Sequence, residues 1–337
     1  MNFSDYVDQA AEAGLLYMTD EAPGHRRIRR GKGFTYVSPK GETVAGSERE
    51  RIKSLVIPPA WEGVWISPEP LGHILVTGYD AAGRKQYIYH PEWELVRDEV
   101  KFQRMGEFGA QLVRVRKLVD SDLRRPGLGR DKVVALAVAV LDRTLIRVGN
   151  RRYADENGSY GLTTLTEQHL DLNGHKVQLD FEAKGGADHQ VIFESRRLAS
   201  LLARCQELRG QTLFSYEVDG DIGAIRSDDV NDYLSAAAGF RCTAKDLRTW
   251  GATTHVVQQL AASSPHAKDE GAMILEAIDS AAEALGNTRA VCRASYVHPE
   301  ISDAYRGGRL ADAWERSRGG KWLSRAESAM RKILRHG

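Results

Sequence analysis

The sequence predicts an α+β chain in two parts: a small β-rich domain over residues 1–91 and a larger, mainly helical domain with a short sheet over 92–337. Apolar periodicity switches from two to three-and-four near residue 92, separating strands from helices. The first part is punctuated by Pro, Gly and Asp turns, as a small antiparallel sheet requires. A length of 337 residues with 42% apolar and 28% charged content supports two packed cores in a soluble globular protein.

In the first part, FTYV (34–37) runs into SPKG and then a polar stretch leading to VIPPAW (56–61). VWI (64–66) meets SPEPLG, ILVTGY (74–79) meets DAAG, and KQYIYH (85–90) ends at Pro91. Alternation within KQYIYH puts Gln86 and Ile88 on one face, Tyr87 and Tyr89 on the other. With Arg84 and Lys85 just before them, the tyrosines form either a core stripe or a wet aromatic and basic surface for nucleic acid.

Beyond residue 92, VRDEVKFQRMGEFGAQLVRVRKLVDSDL and DKVVALAVAVLDRTLIRVG read as helices broken by RRPGLGR. The second is apolar on nearly all sides until Asp142 and Arg143, which places it in a core. HKVQLDFEAKGG and HQVIFE make a hairpin with Lys184 at its Gly-Gly turn. Thr243 and Asp246 form a capping box for LRTWGATTHVVQQLA. EGAMILEAIDSAAEALG ends at Gly286, and NTRAVCRASYVHP opens a short helix limited by Pro299.

Net charge is +1, yet charge is segregated. Lys101 to Arg152 carries 13 basic against 5 acidic residues, and Arg306 onward 9 against 3. HRRIRRGKG (25–33) is more basic still, while 217–232 is acidic. Such segregation suits one electropositive face toward a phosphate backbone, or simply solvated faces. Cys205, Cys242 and Cys292 form no CxxC or Cys/His cluster, which argues against a disulfide framework or zinc site and for a reducing cytosol. The longest apolar run, Val133–Leu141, falls far short of the ~20 residues of a membrane span. The opening residues are acidic where a signal peptide is basic.

Familiar motifs for nucleotides, zinc proteases and hydrolase elbows are missing from the sequence, and no D-x-D carboxylate pair lies in the most basic region. What remains is a set of basic residues at element ends. Arg147 lies where the buried helix ends, Lys184 on the hairpin turn, and Arg248 in the first turns of a helix beside Trp250. Singly, each fits a salt bridge as well as a site.

In order along the chain these segments resemble the type IB DNA topoisomerases of the compact poxvirus and bacterial form. VIPPAWEGVWI and GRKQYIYHP resemble the family's N-terminal domain. IRVGN with YGLTTLTEQHL, DFEAKGGADH, KDLRTWGATT and LGNTRAVCRASYVHP resemble its catalytic segments. The resemblance spans about residues 14 to 307. It implies a catalytic domain of the type shared with tyrosine recombinases, with Arg147, Lys184, Arg248, Asn287 and Tyr296 at the site. Poxvirus and nuclear members carry histidine where this chain has Asn287, which can donate a hydrogen bond but adds no charge.

The implied chemistry is attack by Tyr296 on a phosphodiester, giving a 3′-phosphotyrosine and a free 5′ hydroxyl. Arg147 and Arg248 would hold the nonbridging oxygens, Asn287 would donate to one, and Lys184 would protonate the leaving oxygen. Tyr305 is a rival nucleophile outside the matched motif. The resemblance further implies ATP-independent relaxation of supercoiled DNA, no cofactor or metal, and a monomer closing its two domains around double-stranded DNA in the cytoplasm, at the nucleoid. Arg84, Lys85, Gln86, Tyr87 and Tyr89 would contact the DNA, with Gln86 reading a base edge. The alternatives are a tyrosine recombinase, although Lys245 stands where that group has the histidine of H-x-x-R, and a non-catalytic DNA-binding protein.

Overall fold

Short strands joined by turns build the first of two units, Met1–Lys101, and helices around a three-stranded sheet build the second, Phe102–Gly337. The computed structural model describes residues 3–31, 33–151, 154–155, 158–263 and 269–335, the side chains of 3–5 and 97–100 apart. Lys32 of the basic segment lies outside them.

The first unit contains α1 (Phe3–Glu12), β1 (His25–Arg30), β2 (Gly33–Val37), α2 (Gly46–Ser54), β3 (Glu62–Ile66), β4 (Ile74–Tyr79) and β5 (Lys85–Tyr89). Its antiparallel sheet runs β2-β1-β3-β4-β5. Ile66, Val76 and Ile88 lie in register on the face that packs against Ile52 of α2. Trp65, Thr77 and Tyr87 follow one another across the opposite face. Two elements differ from the sequence reading. The basic segment is β1, where Arg27 donates to the carbonyls of Pro58 (3.1 Å) and Trp61 (2.5 Å) and lies 4.2 Å over the Phe34 ring. The polar stretch is α2, whose one buried residue, Ile52, leaves no apolar periodicity to read.

The division falls within α3 (Pro91–Asp122), beyond the expected 91/92 boundary. The first turn of that helix belongs with the first unit because Trp93 is buried beside Ala10 and Leu15.

The second unit continues with α4 (Arg130–Thr144), β6 (Leu170–Asn173), β7 (Lys176–Ala183), β8 (Ala187–Glu194) and α5 (Arg196–Glu207). Then come β9 (Ser215–Val218), β10 (Asp221–Ala224), α6 (Ser227–Ala238), α7 (Ala244–Ala262) and α8 (Glu270–Leu285). The short α9 (Arg289–Ser295), α10 (Pro299–Arg306), α11 (Arg309–Glu315) and α12 (Arg325–Ile333) complete it. The apolar α4 is buried from Lys132 to Val138 and packs with Phe108, Leu112, Leu179, Phe214, Trp250 and Val256 in one core. β6-β7-β8 form an antiparallel sheet that turns Val177, Leu179 and Phe181 inward. Pro299 occupies the first turn of α10 rather than merely ending α9, a position where its missing N–H costs nothing. All three cysteines are buried, and burial pushes Cys205 and Cys242 up to about 12, so their thiols are inert.

The basic tail folds back onto the unit. Glu327 of α12 accepts from Trp250 Nε1 (3.0 Å) and from both terminal nitrogens of Arg116 (2.7 and 2.9 Å). Arg116 also pairs with Asp142 of α4 at 2.7 Å. Burial alone would raise the Glu327 pKa, but the hydrogen bonds from Arg116 hold it below the usual value. Arg116 is raised by its two carboxylates against its own desolvation. α12 is thereby tied to the helix that carries Arg248.

Candidate active site

Helix α4 stops at Thr144 because Leu145 takes a left-handed conformation (φ 54°). Arg147 therefore stands on the loop after the helix, not on its terminus. That loop is clamped edge to edge: Leu162 and Thr163 donate to the carbonyls of Arg147 (2.9 Å) and Val148 (2.8 Å). Gly149 and Gly161 permit the approach, since a Cβ on Gly161 would lie 2.5 Å from the Gly149 Cα. The fixed backbone aims Arg147 at the end of α8.

There Gly286 caps the helix in the left-handed region (φ 60°), and Asn287 follows. Arg147 Nη2 donates to Asn287 Oδ1 at 2.5 Å and to the Gly286 carbonyl at 3.3 Å. With its oxygen so engaged, Asn287 turns its amide nitrogen, Nδ2, inward without a hydrogen-bond partner among the described residues.

Arg248 sits in the second turn of α7, which starts on the predicted capping box: Asp246 accepts from the Thr243 N–H at 2.7 Å. The arginine is 4% exposed. Its two terminal nitrogens donate to the carbonyls of Leu145 and Leu285, while Nε lacks a partner among the described residues. Gly251 lets α7 meet Leu145, whose Cδ2 would be 2.3 Å from an added Cβ. Burial pushes Arg248 down to about 10 although the Tyr296 hydroxyl favours its charge, so it stays a cation at neutral pH.

Tyr296 follows α9 as its C-cap, half-buried, with its ring centroid 5.4 Å from the Arg248 guanidinium carbon. Thr253, buried on α7, fixes the backbone here: it donates to the Tyr296 carbonyl (2.9 Å) and accepts from the His298 N–H (3.2 Å). The rival Tyr305 points its hydroxyl at Met273 Sδ, 3.2 Å away. The four residues Arg147, Arg248, Asn287 and Tyr296 thus converge.

Lys184 is exposed on the turn between β7 and β8. It stands three residues past the paired Phe181 and His189, roughly 10 Å along a strand. It is His189, on the same hairpin, that meets the pocket. Its Nδ1 lies 3.3 Å from where a Gly286 Cβ would be. Burial first, then the nearby Arg248 and Arg147 charges, push its imidazole below the usual value. His189 and Thr253 were not singled out from sequence; both lie inside the matched strings, but only contacts across the fold give them meaning.

In the first unit, Tyr87 and Tyr89 stack at 5.6 Å with Tyr87 42% exposed, so a core stripe is excluded for Tyr87, while Tyr89 packs toward Trp93. The pleat puts Gln86 on the other face, where its amide donates to Asp80 at 2.9 Å. Asp80 also pairs with Arg84 (2.7 Å), and Lys85 with Asp20 (2.6 Å). Among the described residues no helix is long and apolar enough to cross a membrane.

The sequence model for the catalytic core of eukaryotic DNA topoisomerase I matches residues 85–307, and that for the N-terminal domain of bacterial DNA topoisomerase IB matches 33–80. DNA topoisomerase 1B of Acanthamoeba polyphaga mimivirus is 30% identical over 285 residues, 81% of this chain and 85% of its own. DNA topoisomerase 1B of vaccinia virus (strain Copenhagen) is 23% identical over 278 residues, 78% of this chain and 82% of its own. With a match running through most of its length, and through every segment that builds the pocket, the chain belongs to the type IB DNA topoisomerase family.

Proposed function

We propose that this protein relaxes supercoiled double-stranded DNA without ATP, by cutting and resealing one strand through a 3′-phosphotyrosine on Tyr296. The observation that carries this reading is the convergence of two arginines and an amide beside one tyrosine, with two buried N–H donors left over. Buried donors without partners cost about 1–3 kcal/mol each, a cost that an anionic oxygen offsets. A phosphodiester seated there receives Arg248 Nε and Asn287 Nδ2. Arg147 is oriented by the same Asn287 to reach the second nonbridging oxygen.

Lys184 supplies the proton to the departing 5′ oxygen, which requires its hairpin to bring the ammonium to the phosphate. With that proton delivered by a lysine, relaxation proceeds in EDTA and uses no nucleotide. Tyr87, Tyr89, Arg84 and Lys85 meet the DNA from the first unit, and Gln86 does so from the opposite side of its strand. The protein acts as a monomer in the cytoplasm, at the nucleoid.

The test is a denaturing gel of protein incubated with nicking-competent duplex. Wild type leaves a covalent adduct, and Tyr296→Phe, which keeps the ring, folds and binds DNA but leaves none. Adduct from Tyr296→Phe would move the nucleophile elsewhere.

A further inference from the structure

The lysine and the phosphate pocket lie on different elements, so something must register one against the other. The residue placed to do so is His189. It belongs to β8, paired directly with Phe181 of β7, and the two rings meet edge to face at 5.4 Å and 71°. Phe181 is itself buried, which fixes one side of the imidazole. The imidazole also lies beside Gly286, close enough that a methyl group there would meet Nδ1 at 3.3 Å and Cε1 at 3.5 Å. Gly286 offers its carbonyl to Arg147, and the next residue is Asn287. One ring thus links the lysine hairpin to the turn that holds the phosphate-binding side chains.

The charges around this ring come from Arg147 on the loop after α4 and Arg248 on α7. Its partner across the hairpin, Phe181, and the Gly286 turn contribute none. Both of these charges are positive, so they disfavour a protonated ring.

We propose that His189 is a positioning residue: it seats the base of the Lys184 hairpin on the Gly286–Asn287 turn and so sets the general acid in register with the scissile phosphate. This rests on the role assigned to Lys184 above. Small displacements of a catalytic group cost on the order of 10²-fold in rate, so His189→Ala should slow single-turnover cleavage roughly 10- to 100-fold. Noncovalent DNA affinity should stay within about twofold, because no phosphate contact is removed.

The decisive comparison uses a substrate with sulfur in place of the bridging 5′ oxygen, whose thiolate leaves without a proton. That substrate should restore His189→Ala, as it restores Lys184→Ala, and should leave Arg248→Ala slow. The double variant Lys184→Ala/His189→Ala should be no slower than Lys184→Ala alone. Unrescued loss in His189→Ala, or multiplied losses in the double variant, would overturn the proposal and make His189 a contributor to the phosphate pocket. If sulfur fails to rescue Lys184→Ala itself, the general-acid reading falls, and the double variant still decides whether His189 acts through the hairpin. His189→Phe keeps a flat ring against Gly286 and Phe181 and should retain at least about a third of the wild-type rate. A Phe variant that melts normally yet is as slow as Ala would also sink it.

Discussion

The two units treat their candidate residues in opposite ways. In the second, Arg248 is buried and Asn287 half-buried, and each keeps one buried donor without a partner among the described residues. In the first, Gln86 and Arg84 share Asp80, and Lys85 is held by Asp20 while lying 5.7 Å over the Tyr87 ring. On the proposed reading, the pocket is built in advance for an anion that none of the described residues supplies. The sheet instead carries its own acids, which a phosphate would have to replace on the proposed reading. Preorganised donors raise the rate of a step, whereas exchangeable surface pairs mostly tune affinity and its salt dependence.

The widest separation should come from Arg248→Ala, which removes a buried donor set and should lower single-turnover cleavage by about 10²- to 10³-fold with little change in DNA affinity. A loss in affinity that matched the loss in rate would place Arg248 with the surface residues. Next is Glu327→Ala, which leaves Arg116 with half of its carboxylate partners and should destabilise the fold by about 3 kcal/mol, read from denaturant unfolding. The difference between units then predicts a small effect of the reverse sign for Asp80→Asn. Releasing Arg84 and Gln86 should tighten DNA binding about threefold at low salt and steepen the salt slope by about one. Weaker binding would instead mean that Asp80 holds Gln86 in its reading position.

The smallest effect is acid sensitivity. Burial lowers the pKa of His169, His189 and His255 in the second unit and of His73 in the first. Each imidazole takes up its proton more readily when unfolded, so stability is full above the unfolded value near 6.5 and declines as pH falls below it. The melting temperature should drop between pH 7 and pH 5.5, and a flat profile there would contradict all four assignments.

The pocket residues were legible because each sits in a short string whose order along the chain carries information. The capping box of α7 and the Lys184 hairpin were legible from local chemistry. The strand β1 and the helix α2 were not, because HRRIRR is held by pairing on both sides and by the contacts of Arg27, and GSERERIKS by one buried isoleucine, rather than by a repeating apolar face. Arg147 moved off its helix because nothing in TLIRVG announces that Leu145 turns left-handed; its carbonyl does so to meet Arg248, a hundred residues away. Gln86 and the tyrosines were placed on opposite faces by alternation, yet grouped as one DNA-facing set; the pleat keeps them apart.

The tie between α12 and α7 has a consequence for the order in which the protein is made. All five proposed active-site residues are in the chain once Tyr296 has been added, when Glu327 is still 31 residues from synthesis. Until then Trp250 lacks its Glu327 acceptor, and Arg116 lacks one of its two carboxylate partners among the described residues. A nascent chain therefore carries every proposed reactive group before the frame that steadies the Arg248 helix exists, and α12 must be made before the unit can close around that pocket.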